Sequence, residues 1–301
     1  MKKLIIIFLT LSISYAGFSQ QLTYNSQYML NQFLINPAAA GTKEYMPIST
    51  SFRQQWAGFN DAPRTQMLSA HSPIGENMGV GGILYNDVTG PLRNIGFEGS
   101  YSYHLKLNDK SKLAMGLSVS LTQHVLDGSN FILNDANDQV LNGATQKSFN
   151  PDGSFGLYYY CEKGFLGISV PQLIENKLKF GDNIEELNRQ VRHYFLSSGY
   201  RFALGENLQL EPSVLVKYTI ASPFQFDVNT RLFYKENLWT GVSYRHDESI
   251  VALAGIQRDE FMIGYSFDYT LSSIRNYSAG THELYLEYQL PVKKKASVSF
   301  D

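Results

Sequence analysis

The sequence is poor in charge, in cysteine and in long apolar runs. Asp, Glu, Lys and Arg make up 17% of its 301 residues, against about 25% in an ordinary soluble domain. The formal net charge of -2 supplies no bulk positive field that would attract nucleic acid. The single cysteine, Cys161, excludes an internal disulfide and a cysteine-based metal site, and the histidines lack the paired spacing of a helical zinc site. These scarcities argue against a disulfide scaffold, a zinc protein and a nucleic-acid-binding protein.

Sequence signatures of catalysis are absent as well. The chain contains no Gly-x-Ser-x-Gly elbow, no Walker loop and no His-Glu-x-x-His. Ser100 and Ser102 precede His104, but residues two apart share a face in every strand, so this arrangement is expected by chance. We therefore expect no catalytic residue, no metal site and no cofactor.

The first residues have the pattern of a secretory signal peptide. Lys2 and Lys3 precede an apolar run at 4–13, and small residues then lead to Gln20 and Gln21. The run is too short to cross the roughly 30 Å core of a bilayer as a helix, and no later stretch approaches the ~18 apolar residues that a spanning helix needs. We predict that residues 1–20 are removed after Sec-type export, so the mature chain belongs to the cell envelope.

What the chain has in abundance favours strands and turns. It contains 20 Tyr, 19 Phe and 24 Gly, and apolar residues recur at every second position from Tyr45 onward. In one such segment Leu113, Met115 and Leu117 share a face, and Ala114, Gly116 and Ser118 lie opposite. About fourteen segments have the length of roughly 9–11 residues with which a tilted strand crosses a membrane, and an even number lets an antiparallel sheet close with both termini on one side.

The predicted strands lie at 45–55, 65–73, 78–86, 92–106, 111–126, 153–161, 164–170, 191–203, 207–219, 224–234, 237–247, 249–257, 260–270 and 281–290. Short polar turns such as 108–110 and 235–237 alternate with the longer links 127–150, 171–190 and 271–280. Short periplasmic turns and longer outer loops are typical of outer-membrane barrels. We therefore predict an all-β fold, a transmembrane antiparallel β-barrel of about fourteen strands at 45–290, followed by a periplasmic tail at 291–301.

A soluble β-sandwich would show the same alternation. A sandwich turns its apolar face inward, however, and a core about 10 Å thick would hold so many Tyr and Phe rings with difficulty. Eight charged residues all fall on the polar faces of their predicted strands, where opposite signs can pair across a lumen: Glu211, Lys217, Asp227, Arg231, Arg245, Asp268, Glu283 and Glu287. With the signal peptide, this placement favours the barrel, because each charge would be costly on a lipid-facing side.

The segment at 21–44 is too polar for a spanning strand and too apolar for a free tail. Asn36-Pro37 would break any short helix, and Gly41 would free the chain to enter the first strand. Two interpretations stay open at this point. The segment is either a plug inside the barrel or a periplasmic arm that orders on a partner.

Several motifs resemble the PorP/SprF-like outer-membrane proteins of the type IX secretion system of Bacteroidetes. They are NQFLINPAAAG at 31–41, RQQWAGFNDAPRT at 53–65, the pairs Asn86-Asp87 and Gly90-Pro91, and GTHEL at 280–284. Asp61 stands where the family usually has Gly, and Ala39 where it often has an aromatic residue. Asp tolerates a tight turn, so we expect the first loop to survive.

The resemblance implies a non-catalytic role with structural or partner-binding motif residues. These are Asn36, Pro37, Gly41, Arg53, Gln55, Trp56, Gly58, Phe59, Ala62, Pro63, Gly280, His282 and Glu283. We expect Arg53 to pair with lumen carboxylates or with Asn36, and Trp56 to pack on the N-terminal segment. The last strand must pair with the first on closure, so the motifs around Arg53 and Glu283 should meet. We favour closure and packing roles for them, without chemistry.

The resemblance also implies partners. These are the lipid bilayer, the C-terminal domain of a large surface adhesin, and other type IX components including periplasmic motor-complex proteins. The implied function is secretion or anchoring of that adhesin, with a link to gliding motility, by loops 127–150 and 171–190. The alternative is an outer-membrane solute channel, which would need a lumen that the N-terminal segment does not fill.

Overall fold

The computed structural model describes residues 25–128, 145–177, 190–220 and 222–292. The predicted signal peptide, 1–20, and most of the predicted tail, 291–301, lie outside the described residues. The described strands are β1 (Tyr45–Gln54), β2 (Arg64–Ile74), β3 (Met78–Thr89), β4 (Leu92–Lys106), β5 (Ser111–Asp127), β6 (Thr145–Cys161), β7 (Gly164–Val170), β8 (His193–Tyr200), β9 (Phe202–Ala203), β10 (Leu208–Thr219), β11 (Ser222–Tyr234), β12 (Leu238–Arg245), β13 (Ser249–Arg258), β14 (Phe261–Thr270) and β15 (Thr281–Pro291).

These strands form one closed antiparallel ring. Each pairs with its neighbours in sequence except β8 and β9, which both pair with β10 and not with each other. β1 also pairs with β15, and β10 also pairs with β11. The short strand β9 pairs with β10 beyond the end of β8, so β8 and β9 form a single crossing interrupted at Arg201. The ring therefore has fourteen crossings, and the prediction of a fourteen-stranded antiparallel barrel is confirmed.

Strand bounds follow the alternation closely, with one clear miss. β4 and β7 have the predicted bounds, 92–106 and 164–170. β6 begins at Thr145 rather than at 153, because its first residues pair with the far end of β5, where Asp127 lies opposite Thr145. Asn150, Pro151 and Asp152 resemble a turn in the sequence. In the structure they continue the ladder, since the backbone groups of β5 need partners there.

The two faces of the wall have opposite character. Outward positions carry large apolar side chains, with Val119 at 72% exposure and Leu117 at 60%. The inner face holds buried serines, threonines and charges, including all eight charged residues predicted to lie there. A soluble protein would have the reverse arrangement, whereas a lipid-facing barrel requires this one.

The helical content is confined to short 3-10 turns in the described chain. They lie at Gln32–Leu34, Pro37–Ala39 and Ser273–Asn276. No helix among these residues is long and apolar enough to cross a bilayer.

The connections differ between the two ends of the barrel. One end, the turn end, holds the start of β1 and the end of β15. Its links are all short: 75–77, 107–110, 162–163, 204–207, 235–237 and 259–260. The loop end has the longer links 55–63, 128–144, 171–192 and 271–280 together with short ones. Barrels of the outer membrane place short turns in the periplasm and long loops outside. The loop end is therefore the extracellular end.

A charge on the lipid-facing side should destabilise the barrel, whereas a charge one residue away should not. Val119 lies at the middle of β5 and faces outward, and Ser120 faces the lumen. We expect Val119→Arg to lower the free energy of unfolding by about 2–4 kcal/mol, and Ser120→Arg to lower it far less. Guanidinium unfolding from phospholipid vesicles, followed by heat-modifiable gel mobility, measures both. Equal losses would show that the outer face does not contact lipid.

Candidate functional site

The lumen segment, residues 25–42, is organised by two asparagines. Asn31 accepts a hydrogen bond from the Phe33 N–H at 3.2 Å, and Asn36 accepts one from the Ala38 N–H at 2.9 Å. Each caps a short 3-10 turn, a position for which Asn is suited because its side-chain oxygen accepts from a free backbone donor. Pro37 occupies the first position of the second turn, where its missing N–H costs nothing.

The asparagine side chains also attach the segment to the wall. The Asn31 amide donates to Ser49 and Ser69, both at 2.9 Å, on β1 and β2. The Asn36 amide donates to the carbonyls of Leu157 (3.0 Å) and Ile168 (3.2 Å) on β6 and β7. Asn31 thus attaches the segment to β1 and β2, and Asn36 attaches it to β6 and β7.

Further hydrogen bonds reach the remaining parts of the ring. Tyr28 accepts from Asn229 on β11 at 2.7 Å, and the Ala40 carbonyl accepts from Ser102 on β4 at 2.7 Å. The Gly41 N–H donates to His71 on β2 at 3.1 Å. Because its contacts include strands from all around the ring, the segment lies across the lumen.

Close backbone approach holds the turn-end half of the segment. A Cβ at Gly116 on β5 would collide with the backbone of Pro37 and Ala38, and a Cβ at Gly79 on β3 would collide with Ala40. Only glycine allows the wall and the segment to approach so closely at these positions.

A buried charge cluster joins the segment to the closing strands. Arg53 of β1 contacts Asp268 at 2.9 Å and Glu283 at 3.2 Å, and Arg53 and Glu283 are register partners across the β1–β15 pair. Ser26 of the lumen segment accepts from Arg53 at 2.5 Å and donates its N–H to Glu283 at 2.6 Å. The Gln27 N–H donates to the other Glu283 oxygen at 3.2 Å. All five residues are buried.

A second charge network lies beside the first. Asp227 is 3.3 Å from Lys217 and 3.4 Å from Arg245, and Arg245 also contacts Glu248 at 2.9 Å. Burial alone would raise the pKa of Glu248, which lies in the loop between β12 and β13, but the neighbouring Arg245 and Lys217 outweigh burial and lower it. The Glu248 carboxyl is therefore charged at neutral pH.

The motif loops meet at the loop end. The Trp56 N–H donates to the Thr281 hydroxyl at 3.1 Å, and Ala57 exchanges two backbone hydrogen bonds of 2.7 Å with Ala279 and Gly280. Positive φ angles at Trp56 (47°) and Asp61 (56°) shape this loop. Asp61 thus adopts the left-handed conformation that favours glycine, so the loop keeps its tight turn with Asp at this position, as expected.

The predicted motif residues fall into three groups, and His282 lies apart from them. Asn36, Pro37 and Gly41 lie in the lumen segment, and Arg53 meets Glu283 in the buried cluster. Gln55, Trp56, Gly58, Phe59, Ala62, Pro63 and Gly280 form the paired loops, with Gly58 and Phe59 exposed. His282 faces outward and contacts Tyr265 at 2.6 Å. Asn36 lies with β6 and β7 and not with Arg53, whose partners are carboxylates.

Sequence reasoning did not assign a role in the site to several of these residues. Ser26 and Asn31 lie outside the predicted site residues, and Asp268 is predicted only as one of the lumen charges, although each makes a buried contact with the wall or the segment. For Ser26 and Asn31 the sequence offers one signal, a polar residue in a largely apolar stretch, and this signal does not identify the residue's hydrogen-bond partner.

A vestibule of about 680 Å³ lies between the lumen segment and the loop end. The segment from Phe33 to Pro37 forms its floor, and Trp56, Pro63 and Glu248 line it near the loop end. Among the residues that the structure describes, no group of three His, Cys, Asp or Glu side chains is arranged to hold a metal ion.

Comparison with known proteins identifies the family and the fold. A family model described as "Type IX secretion system membrane protein PorP/SprF" matches residues 17–288, and no curated protein matches the chain. The Ralstonia pickettii toluene transporter TbuX is 11% identical with a TM-score of 0.52, covering 93% of this chain and 100% of that one. The CymD monoaromatic hydrocarbon channel is 13% identical with a TM-score of 0.50, covering 93% and 96%. These structural likenesses show a shared barrel fold alone.

Removal of the Arg53 guanidinium should destabilise the barrel and release the lumen segment. Arg53→Ala leaves the Asp268 and Glu283 carboxylates buried without that cation, a change that costs about 3–5 kcal/mol for buried pairs. We expect a lower unfolding midpoint in guanidinium and new protease cleavage within residues 25–42. The control, Lys106→Ala, removes an exposed ion pair with Asp109 and should change neither. An unchanged midpoint for Arg53→Ala would contradict the role of the cluster.

Proposed function

We propose, from the premise that this chain belongs to the PorP/SprF family of type IX secretion system membrane proteins, that it secretes or anchors a large surface adhesin by binding the adhesin's C-terminal domain. As a member of that family the chain is a non-catalytic β-barrel of the outer membrane. Membership in this secretion system implies partners among its other components. The finer assignment to an adhesin, with a link to gliding motility, is the proposal.

The observation that carries the proposal is the occupied lumen. Hydrogen bonds from the lumen segment reach β1, β2, β4, β6, β7, β11 and β15. A segment held on every side, with buried charges at its beginning and backbone contacts near its end, supports a plug. A plugged barrel suits an anchor better than a pore.

The vestibule supports a receptor role for the loop end. The described base of the 171–192 loop borders it: the Ile174 N–H donates to Asp152 at 3.0 Å, and the Gln190 N–H donates to Asn176 at 2.9 Å. We propose that the loops predicted at 127–150 and 171–190, which the strand ends bound at 128–144 and 171–192, hold the cargo domain above this cavity. The middle parts of these loops, 129–144 and 178–189, lie outside the described residues.

We propose that periplasmic motor-complex proteins contact the opposite end. The turn end has only short links and carries the polar turns 107–110, 162–163, 204–207, 235–237 and 259–260. Short polar turns form a low surface that a periplasmic partner can contact. The longer loops lie at the extracellular end.

A solute channel is the second candidate, because the vestibule is large enough for a small molecule. Current through single barrels in planar bilayers separates the two functions. We expect the native chain to give no steady open current, and a variant lacking residues 25–42 to conduct. A steady current through the native chain would favour the channel.

Capture of the cargo domain tests the leading candidate directly. Replacement of residues 129–144 by a Gly/Ser linker of equal length keeps the β5–β6 ladder, because β5 ends at Asp127 and β6 begins at Thr145. We expect this change to abolish co-purification of the adhesin C-terminal domain. Exchange of the turn-end residues Glu206 and Asn207 for Gly and Ser is the matched control and should leave capture intact. Capture that survives the loop replacement would exclude that loop as the receptor.

A further inference from the structure

The two sides of the vestibule differ in how their charges are neutralised. On one side, the cations are matched by carboxylates. Arg53 contacts Asp268 and Glu283, and Arg245 contacts Asp227 and Glu248. This side therefore offers little uncompensated charge to a ligand.

On the opposite side lie carboxylates whose hydrogen-bond donors, within the described part of the chain, are all neutral. Asp87 of β3 accepts from the Thr65 hydroxyl at 2.7 Å, and Glu98 of β4 accepts from the Ser100 hydroxyl at 3.4 Å. Asp152 of β6 accepts from the N–H groups of Gly153 (2.7 Å) and Ile174 (3.0 Å).

All three carboxylates line the vestibule. Among the residues that the structure describes, none of the three carboxylates forms an ion pair with Lys or Arg.

Two buried acceptor atoms on this side have no donor in the described chain. They are Oδ2 of Asp152, a residue that is 9% exposed, and Oε1 of Gln190, which is 7% exposed. Both residues line the vestibule. An acceptor left unpaired in a buried position costs about 1–3 kcal/mol, so a donor supplied by a ligand would be bound favourably here.

These groups lie close enough to act together. Glu98 and Asp152 are both register partners of Ser120, so the two carboxylates stand two strands apart on the same face, about 10 Å from backbone to backbone. Gln190 is tied to Asn176, and the Asn176 side chain donates to the Pro151 carbonyl, next to Asp152. The set is thus an arc of acceptors.

We propose that this arc, formed by Glu98, Asp152 and Gln190 with Asp87 beside it, is a binding site for an organic cation, an ammonium or a guanidinium group. The two unpaired buried atoms on residues that line the vestibule are both acceptors, and none of the three carboxylates has a Lys or Arg partner in the described part of the chain. A guanidinium presents several donors in one plane and matches acceptors that are spread over two strands, which a single metal ion cannot span.

The cation enters from the extracellular end, because the vestibule lies between the segment and the loops. Its source is an arginine or lysine of a secreted polypeptide, and only this assignment rests on the proposed function. A free polyamine has the same chemistry, and the experiment separates the two sources.

Titration of the full chain in detergent micelles tests the site with named probes. They are a short Gly/Ser peptide that carries two arginines, the same peptide with citrulline in place of arginine, and spermidine. Citrulline keeps the shape and removes the charge. We expect the arginine peptide to bind at least about tenfold more tightly than the citrulline peptide, the change expected for one charge-assisted hydrogen bond. Equal affinities of the two peptides, together with no binding of spermidine, would overturn the proposal.

Variants locate the binding. We expect Glu98→Gln with Asp152→Asn to weaken the arginine peptide at least about tenfold. The control, Asp61→Asn with Asp247→Asn, removes two exposed carboxylates from loops at the same end and should leave the affinity unchanged. Heat-modifiable gel mobility verifies folding, and Asp152→Asn alone replaces the double variant if that fails to fold. Unchanged binding in the folded variants would overturn the site.

The remaining outcomes show whether the cation comes from a polypeptide or from a free amine. They also separate failure of the cation site from failure of the proposed adhesin function. Binding of spermidine that displaces no peptide, lost in the same variants, would support the site and assign it to a free amine. Arginine-specific binding together with failed adhesin capture would count against the proposed function alone. Capture without any preference for arginine would count against this site alone.

Discussion

Closure of the barrel wall and placement of the lumen segment both depend on one interaction, the contact between Arg53 and the carboxylates of Asp268 and Glu283. Arg53 lies on the first strand and Glu283 on the last, so the ion pair spans the seam at which the barrel closes. Ser26 adds the lumen segment to the same cluster. In a buried setting each charge would be costly without the others. Closure of the sheet and placement of the segment are therefore coupled.

The lumen segment changes what the fold can do. TbuX and CymD share the barrel at low identity, but fold likeness does not extend to what lies inside. Here the interior is divided by the segment, with close glycine contacts toward the turn end and an open vestibule toward the loop end. A divided lumen suits a protein that receives a partner at one face. The wall of a barrel is a scaffold, and its loops and interior carry the specificity.

Much of the fold could be read from alternation because lipid and lumen impose opposite polarity on neighbouring residues. Strands such as β4 and β7 therefore have bounds that the sequence predicts. The start of β6 could not be found in this way, since Asn150, Pro151 and Asp152 have the composition of a turn. Their conformation is decided by the unpaired backbone of β5, which is distant in sequence until the hairpin forms.

The sequence by itself determined the closed sheet, the polar placement of its charges and the motifs that mark the family, because these depend on local period and residue type. Only the tertiary structure decided that Asn36 holds β6 and β7 and that Arg53 pairs with carboxylates, including Asp268, rather than with Asn36. It also decided that Asp152 and Gln190 face the same cavity. Such pairings join residues far apart in the chain, and a polar side chain's partner is chosen by the geometry of the closed ring, which no local pattern encodes.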